Sequence, residues 1–243
     1  MKAIILAAGE GTRLRPLTYE KPKIMLPIAG RPMLEYMIAS LRHHGIREIA
    51  INLSHLPQAV MDWLGDGSRL DVHVVYSLEE KPMGTAGALT RLKSFFDETF
   101  VVFYGDMLTD LDYGALERYH RSKGGLATVT LFEVDDPRAY GIVEIDDEKR
   151  ILRFVEKPAP GTTTSNLANA GIYVVEPRII DYIPDETFYD FGFNVFPDVL
   201  AKGEKMYGYI TDATILDAGT MANYQETDRV VSEGRFKPVG ISS

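Results

Sequence analysis

The sequence predicts an α/β protein built on a mostly parallel sheet, and three observations carry that prediction. Continuous apolar runs without polar alternation recur along the first half, as strands buried on both faces require. Between them lie segments with apolar residues at helical spacing, the β-α-β alternation that covers a parallel sheet with helices. The first run, KAIILA, leads straight into AGEGTRLRP, a glycine turn closing on two arginines. Open α/β sheets take their ligands at that edge.

Taken in order, Lys2–Ala7 is the first strand. In RPMLEYMIASLRHHG, Leu34, Met37, Ile38 and Leu41 fall at i, i+3, i+4 and i+7 and share one helix face. Pro32 suits the first turn of that helix and Gly45 its C-terminal stop. The strands REIAIN and DVHVVY follow, with a helix over Gln58–Leu64 between them. Thr85–Phe96 reads as another helix, before the strand FVVFYGD. After Gly124 the pattern changes: LATVTLFEV, GIVEID, ILRFVEKP and NAGIYVVE are strands with little helix between them, a mixed or antiparallel region. Helices return over Asn194–Ala201 and Met221–Glu233, and PAPGTTTSN (Pro158–Asn166) is a loop by composition.

Composition narrows the function classes. The 243 residues are 45% hydrophobic and 25% charged, ordinary for a globular chain with a sizeable core. There is no cysteine, which excludes disulfides, thiolate metal sites and a cysteine nucleophile. A net charge of −9 argues against a protein that covers nucleic-acid backbone, while a local basic cluster can still bind a small phosphorylated ligand. The first apolar run is too short for a signal-peptide core, and nothing approaches the roughly 20 apolar residues of a membrane span. A cytoplasmic location is expected. The histidines show no H-x-x-x-H spacing for zinc, and no G-x-S-x-G elbow is present.

Four stretches bear chemistry. Gly9 and Gly11 fit G-x-G, but Leu14 stands where a dinucleotide fingerprint needs its third glycine, and no Gly-Lys-Ser/Thr follows as in a P-loop. Such a loop brings backbone N–H groups and Arg13 to a phosphate chain, with Lys23 close in sequence; alternatively it is a tight turn with solvated cations. Arg15 and Lys21 read as solvated. Asp106 ends an apolar strand, where a carboxylate can hold a hard cation or cap the next turn. Glu156 and Lys157 stand at the end of FVEKP, where Glu can accept from hydroxyls and Lys can neutralise a phosphate; alternatively they form a surface charge pair. Asp217, before Gly219 and Thr220, is either a second metal carboxylate or a helix cap.

In their order, LAAGEGTRLRPLT, KPKIMLPIAGRPML, EEKPMGTAGAL, YGDM, YGIVEID, FVEKP, NAGIYV and LDAGT closely resemble the sugar-1-phosphate nucleotidyltransferases, or NDP-sugar pyrophosphorylases, from Met1 to about Arg229. The resemblance implies the nucleotide-diphospho-sugar transferase fold: a Rossmann-like mixed, mostly parallel central sheet flanked by helices, with a small β-rich sugar-binding subregion. It implies one domain over residues 1–243, with 1–123 mainly binding nucleotide and 124–243 mainly sugar. It implies an EC 2.7.7 reaction in which NTP and sugar 1-phosphate give NDP-sugar and pyrophosphate with Mg²⁺. Carried over residue by residue, Arg13, Lys23 and Lys157 are catalytic. Ala8, Gly9, Gly11, Glu79, Gly84 and Thr85 contact nucleotide. Tyr104, Gly141, Glu156 and Asn169 line the sugar side, and Asp106 and Asp217 hold the metal. The family usually has Asn where Tyr104 stands, which bears on the sugar. A chain ending at Ser243 implies no β-helix tail.

SLEEKPMGTAGAL and NAGIYV point toward the mannose-1-phosphate guanylyltransferase branch, with Glu79 or Glu80 accepting from guanine N1–H and the 2-amino group. Uridylyl or thymidylyl transfer to a glucose-like sugar is the second reading. A non-catalytic NDP-sugar-binding regulatory subunit is the alternative of another class, and Arg13, Lys23, Asp106, Lys157 and Asp217 all being present argues against it. A glycosyltransferase needs a D-x-D motif. DLD at Asp110–Asp112 matches that string but lies away from the strand end. The partners expected are the two substrates, with no nucleic acid and no membrane; a homo-oligomer is compatible with the sequence.

Overall fold

The computed structural model describes residues 1–241. In chain order the strands and α-helices begin with β1 (Lys2–Leu6), β2 (Pro27–Ile28), β3 (Arg31–Pro32), α1 (Met33–His43), β4 (Glu48–Leu53), α2 (Pro57–Leu64) and β5 (His73–Leu78). They continue with β6 (Phe100–Tyr104), β7 (Met107–Thr109), α3 (Tyr113–Lys123), β8 (Ala127–Glu133), β9 (Gly141–Ile145), β10 (Ile151–Glu156) and β11 (Leu167–Val175). The last are α4 (Phe196–Ala201), β12 (Met206–Ile210), β13 (Ile215–Asp217) and α5 (Met221–Ser232).

The described chain divides into two compact units: residues 1–82, 103–112 and 213–241 form the first, and 83–102 with 113–212 the second. A cut at residue 123 therefore does not follow the packing. The reason is topological: β13 must return to pair with β7, Ile215 opposite Thr109 and Asp217 opposite Met107.

The first unit contains the parallel ladder expected from the apolar runs. β1 pairs with β4, Leu6 opposite Asn52, and β4 pairs with β5, Asn52 opposite Ser77. Ile4, Ile5, Ile49, Ala50 and Ile51 are fully buried, so these strands need apolar residues on both faces. α1 buries Leu34, Met37, Ile38 and Leu41, the predicted stripe, each contributing on the order of 1.5–3 kcal/mol. Pro32 is its N-cap rather than a residue of its first turn.

The second unit is the mixed region expected after Gly124. β9 with β10 and β8 with β11 are antiparallel, while β12 adds to β8 in parallel. Here two expectations need correction. Thr85–Phe96 is not a helix but carries only a 3-10 segment, Gly87–Leu92. Gly84 and Gly87 press against the backbone of Tyr189 and Thr187, so this stretch is shaped by tertiary contact rather than helical propensity. The helix expected from Asn194 starts at Phe196, after a π-helical turn over Phe191–Val195. α3 and β12 were not anticipated. α3 is mainly polar, burying Tyr113, Leu116 and His120, and so shows little apolar stripe. His120, one of the isolated histidines of the sequence, is buried between the Thr128 hydroxyl (2.8 Å) and Glu176 (3.0 Å).

No described helix is long and apolar enough to cross a membrane, and no group of three or more metal-ligating His, Cys, Asp or Glu side chains occurs among the described residues.

Candidate active site

Four of the predicted residues of the first unit converge. Arg13 lies in a 3-10 turn, Thr12–Leu14, that Gly11 opens in the left-handed conformation (φ 65°). A side chain there would also meet Thr18 Cγ2 at 2.8 Å, so Gly11 is required by the turn itself. Gly9 is different: it is exposed, its φ is not positive, and a Cβ would meet nothing within 4 Å. Neither conformation nor internal packing demands glycine there.

Lys23 donates to Asp106 Oδ2 at 2.7 Å, with both side chains largely buried. Burial alone would raise the Asp106 pKa. The Lys23 ammonium, through charge and hydrogen bond, and the Arg13 guanidinium outweigh burial and hold it below the usual carboxylate range. Asp217 arrives on β13, and Ala218 N–H donates to the Asp106 carbonyl at 2.8 Å, which ties the two acidic segments together. Asp217 Oδ1 accepts from Gly219 N–H (2.6 Å) and Oδ2 from Asn223 (3.1 Å).

Gly219 is where these groups meet. A Cβ on it would lie 2.8 Å from Asp217 Oδ1, 3.1 Å from Arg13 Nη2 and 3.1 Å from Asp106 Oδ2. Two carboxylates and a guanidinium therefore share the space that a side chain would fill. This donor set suits a hard divalent cation together with an anionic oxygen. In the sequence Gly219 stands out only as a neighbour of Asp217, and its central place comes from the pairing of β13 with β7.

On the neighbouring strands, Ala7 N–H donates to Asn52 Oδ1 (2.8 Å), and Asn52 Nδ2 donates to Glu79 Oε1 (2.8 Å). Ala8 is 5% exposed and Glu79 3%, whereas Glu80 is exposed. Tyr104 ends β6, and the following Gly105 has no room for a Cβ, which would lie 2.6 Å from the Leu6 carbonyl.

The second unit holds the remaining candidates. Gly141 and Glu156 are register partners in β9 and β10. A Cβ on Gly141 would lie 2.6 Å from Glu156 Oε2, and one on Gly192 3.1 Å from the same oxygen. The carboxylate thus sits between two glycines beside the Phe154 ring. Burial raises the Glu156 pKa, Lys157 opposes that, and the Asp190 charge adds to it. Lys157 is exposed at the strand end with φ 46°, a left-handed conformation costly for a residue that also precedes proline. Its N–H donates to the Tyr140 carbonyl at 3.0 Å, which holds that turn.

Among the described residues, Asn169 makes no hydrogen bond to Glu156. Its amide donates to the Tyr173 hydroxyl (2.8 Å) and accepts from Gly171 N–H (2.9 Å), across the register break of β11. Thr85 donates through both N–H and hydroxyl to Asp190 Oδ1, each at 2.9 Å, and accepts from Phe191 N–H. Gly84, at φ 77°, packs against the Tyr189 carbonyl. Asp190 and Gly192, unremarked in the sequence, link these segments. A DFG string beside no familiar loop carried no signal for them.

The sequence profile of the nucleotidyl transferase family matches residues 2–233. The chain is 40% identical over 99% of its length to the UTP–glucose-1-phosphate uridylyltransferase of Synechocystis, covering 66% of that protein. It is 38% identical over 91% of its length to the mannose-1-phosphate guanylyltransferase of Mycobacterium tuberculosis, covering 62% of it. In structure it matches a Bacillus anthracis protein provisionally named a glucose-1-phosphate thymidylyltransferase, with a TM-score of 0.86 at 27% identity, over 98% of this chain and 97% of that one. The chain belongs to the nucleotidyl transferase family. It spans about two-thirds or less of the length of the curated relatives it matches.

Proposed function

We propose that this protein transfers a nucleotidyl group from an NTP to a sugar 1-phosphate, releasing pyrophosphate. The observation that carries the reading is the meeting of Asp106, Asp217 and Arg13 around Gly219, with Lys23 on Asp106. A sugar-phosphate oxygen attacks the α-phosphorus. The new P–O bond forms as the bond to the β-phosphate oxygen breaks, and pyrophosphate carries away the electron pair. Such transfer asks the protein for positioning and charge neutralisation rather than covalent catalysis.

In this reading Ala8 and Gly9 seat the triphosphate against backbone, and Gly84 and Thr85 shape the nucleotide side. Arg13 stabilises the charge on the leaving pyrophosphate and Lys23 the reacting phosphates. Lys157 neutralises the sugar phosphate. Glu156 accepts from sugar hydroxyls, with Gly141, Asn169 and Tyr104 lining that side. Asp106 and Asp217 would hold Mg²⁺, which when bound supplies Lewis-acid neutralisation of phosphate oxygens.

GTP with a mannose-like 1-phosphate is the first substrate pair, and UTP or dTTP with a glucose-like 1-phosphate the second. The 40%-identical uridylyltransferase supports the second and the 38%-identical guanylyltransferase the first. The test is pyrophosphate release with Mg²⁺ over a panel of GTP, UTP, dTTP, CTP and ATP against mannose, glucose, N-acetylglucosamine and heptose 1-phosphates. One strongly preferred pair, abolished by EDTA and restored by added Mg²⁺, is expected. Binding of NDP-sugar without turnover on any pair would instead make the chain a sensor.

A further inference from the structure

The geometry points to Asn52 as a positioning residue that fixes the start of the glycine loop, with Glu79 acting on the loop through it. The inference rests on the reading of Ala8 and Gly9 as the triphosphate seat.

Asn52 lies on β4 between β1 and β5, opposite Leu6 on one side and Ser77 on the other. It is 1% exposed, and both ends of its amide are used. The Ala7 N–H can only donate, so the amide oxygen must face it. That leaves the NH₂ for Glu79 Oε1, and the orientation of the amide is settled by chemistry. Ala7 is the residue that leaves β1 for the loop. Its N–H has no partner in the β1–β4 ladder register, which ends at Leu6 opposite Asn52. The side chain of Asn52 thus continues the ladder by one bond past the point where the backbones part.

A buried amide can rotate or shift unless its other end is anchored, and Glu79 is that anchor. Glu79 is itself tied in place by its N–H donating to the Leu53 carbonyl at 2.8 Å. With 3% of its surface exposed, Glu79 offers a base little area, whereas its bond to Asn52 is short and enclosed. The Ser77 hydroxyl, on the same face as Asn52, is buried with no hydrogen-bond partner among the described residues, so it does not supply the anchor. Glu79, Asn52 and Ala7 form a relay of fixed polarity: acceptor, donor and acceptor, donor.

The polarity can be reversed at constant charge, and this gives the test. Asn52→Asp places a carboxylate against the Glu79 carboxylate with no donor between them. Glu79→Gln alone leaves an oxygen to accept from Asn52, so the Asn52 bond is kept. The double variant Asn52→Asp/Glu79→Gln restores both bonds, the aspartate accepting from Ala7 N–H and from the glutamine amide.

KM and kcat for GTP and for UTP, calorimetric binding of both nucleotides, and Tm are measured on the whole protein. Asn52→Asp is expected to raise nucleotide KM and Kd about tenfold for both bases, the size of one lost hydrogen bond with a charged group. Its kcat changes less, and adding Glu79→Gln returns most of the loss. Two results overturn the inference while leaving the reaction intact. One is a lowered Tm with unchanged nucleotide KM, which makes Asn52 a structural residue only. The other is a loss on Glu79→Gln confined to GTP and not relieved in the double variant, which makes Glu79 a direct reader of the base. If the unsubstituted protein binds none of the nucleotides, the inference falls together with the reaction.

Discussion

At the scale of single residues, the same residue type serves opposite ends. Gly219 is glycine because a Cβ would stand among Asp217, Arg13 and Asp106, and Gly9 is glycine with empty space around it. Gly219→Ala should therefore push those groups apart by a fraction of an ångström while the fold survives, because its φ is not left-handed. Displacement of reacting groups by about 1 Å can cost about 10²-fold, so a shift of a fraction of an ångström should lower kcat/KM by severalfold to about tenfold, with Tm lowered only slightly. Gly9→Ala should leave Tm unchanged and weaken nucleotide binding alone. Thermal melts beside initial rates check both, and a Gly219→Ala variant of full activity would remove the convergence from the proposed mechanism.

Glu156 gives the pH dependence. Its folded pKa is raised above the ordinary value of 4.5 by burial and by Asp190, against Lys157. A raised carboxyl binds its proton more tightly in the folded state. Its contribution to stability is therefore present below 4.5 and is lost as pH rises through the folded value. Glu156→Gln should flatten Tm against pH in the window just above 4.5. An unchanged slope would show that the carboxyl titrates normally.

At the scale of elements, the end of β10 carries a local backbone cost. Alternation along a strand sends Glu156 and the next residue to opposite faces. The chain escapes this by leaving the strand at Lys157 in a left-handed turn, φ 46°, immediately before Pro158. Lys157→Gly should relieve that strain and stabilise the protein by about 1 kcal/mol in denaturant unfolding, while turnover falls by orders of magnitude. A variant that gains no stability would show that the turn is unstrained.

Strands and strand ends were the legible part of this sequence, because buried parallel strands must be apolar throughout and so advertise themselves. Asp106, Glu156 and Asp217 were visible as acids punctuating such runs. What could not be read was set by contacts distant in sequence. The segment after Gly84 loses its helix to Tyr189, Asn52 matters only because β1 and β5 flank it, and α3 hides because few of its residues are buried.

At the scale of the whole molecule, the chain passes between its two compact units at residues 82/83, 102/103, 112/113 and 212/213, so neither unit is a continuous stretch. A division at residue 123 leaves the first unit without residues 213–241, which supply much of its closure. Ala218 N–H bonds the Asp106 carbonyl, Asp228 accepts from Ala29 N–H at 2.7 Å, and the Tyr224 hydroxyl reaches the Pro27 carbonyl at 2.6 Å. β7 loses its partner β13, and Ala218, fully buried, would leave a gap. The second unit fares worse, keeping α3 without β8, β11 or β12. Residues 1–123 expressed alone should show no cooperative thermal transition by circular dichroism, and addition of 124–243 in trans should be needed before any nucleotide is bound. A cooperative melt of the isolated 1–123 fragment would mean that the parallel ladder of β1, β4 and β5, with α1, is stable by itself. The returning C-terminal segment would then be needed only to deliver Asp217 and Gly219 to the site.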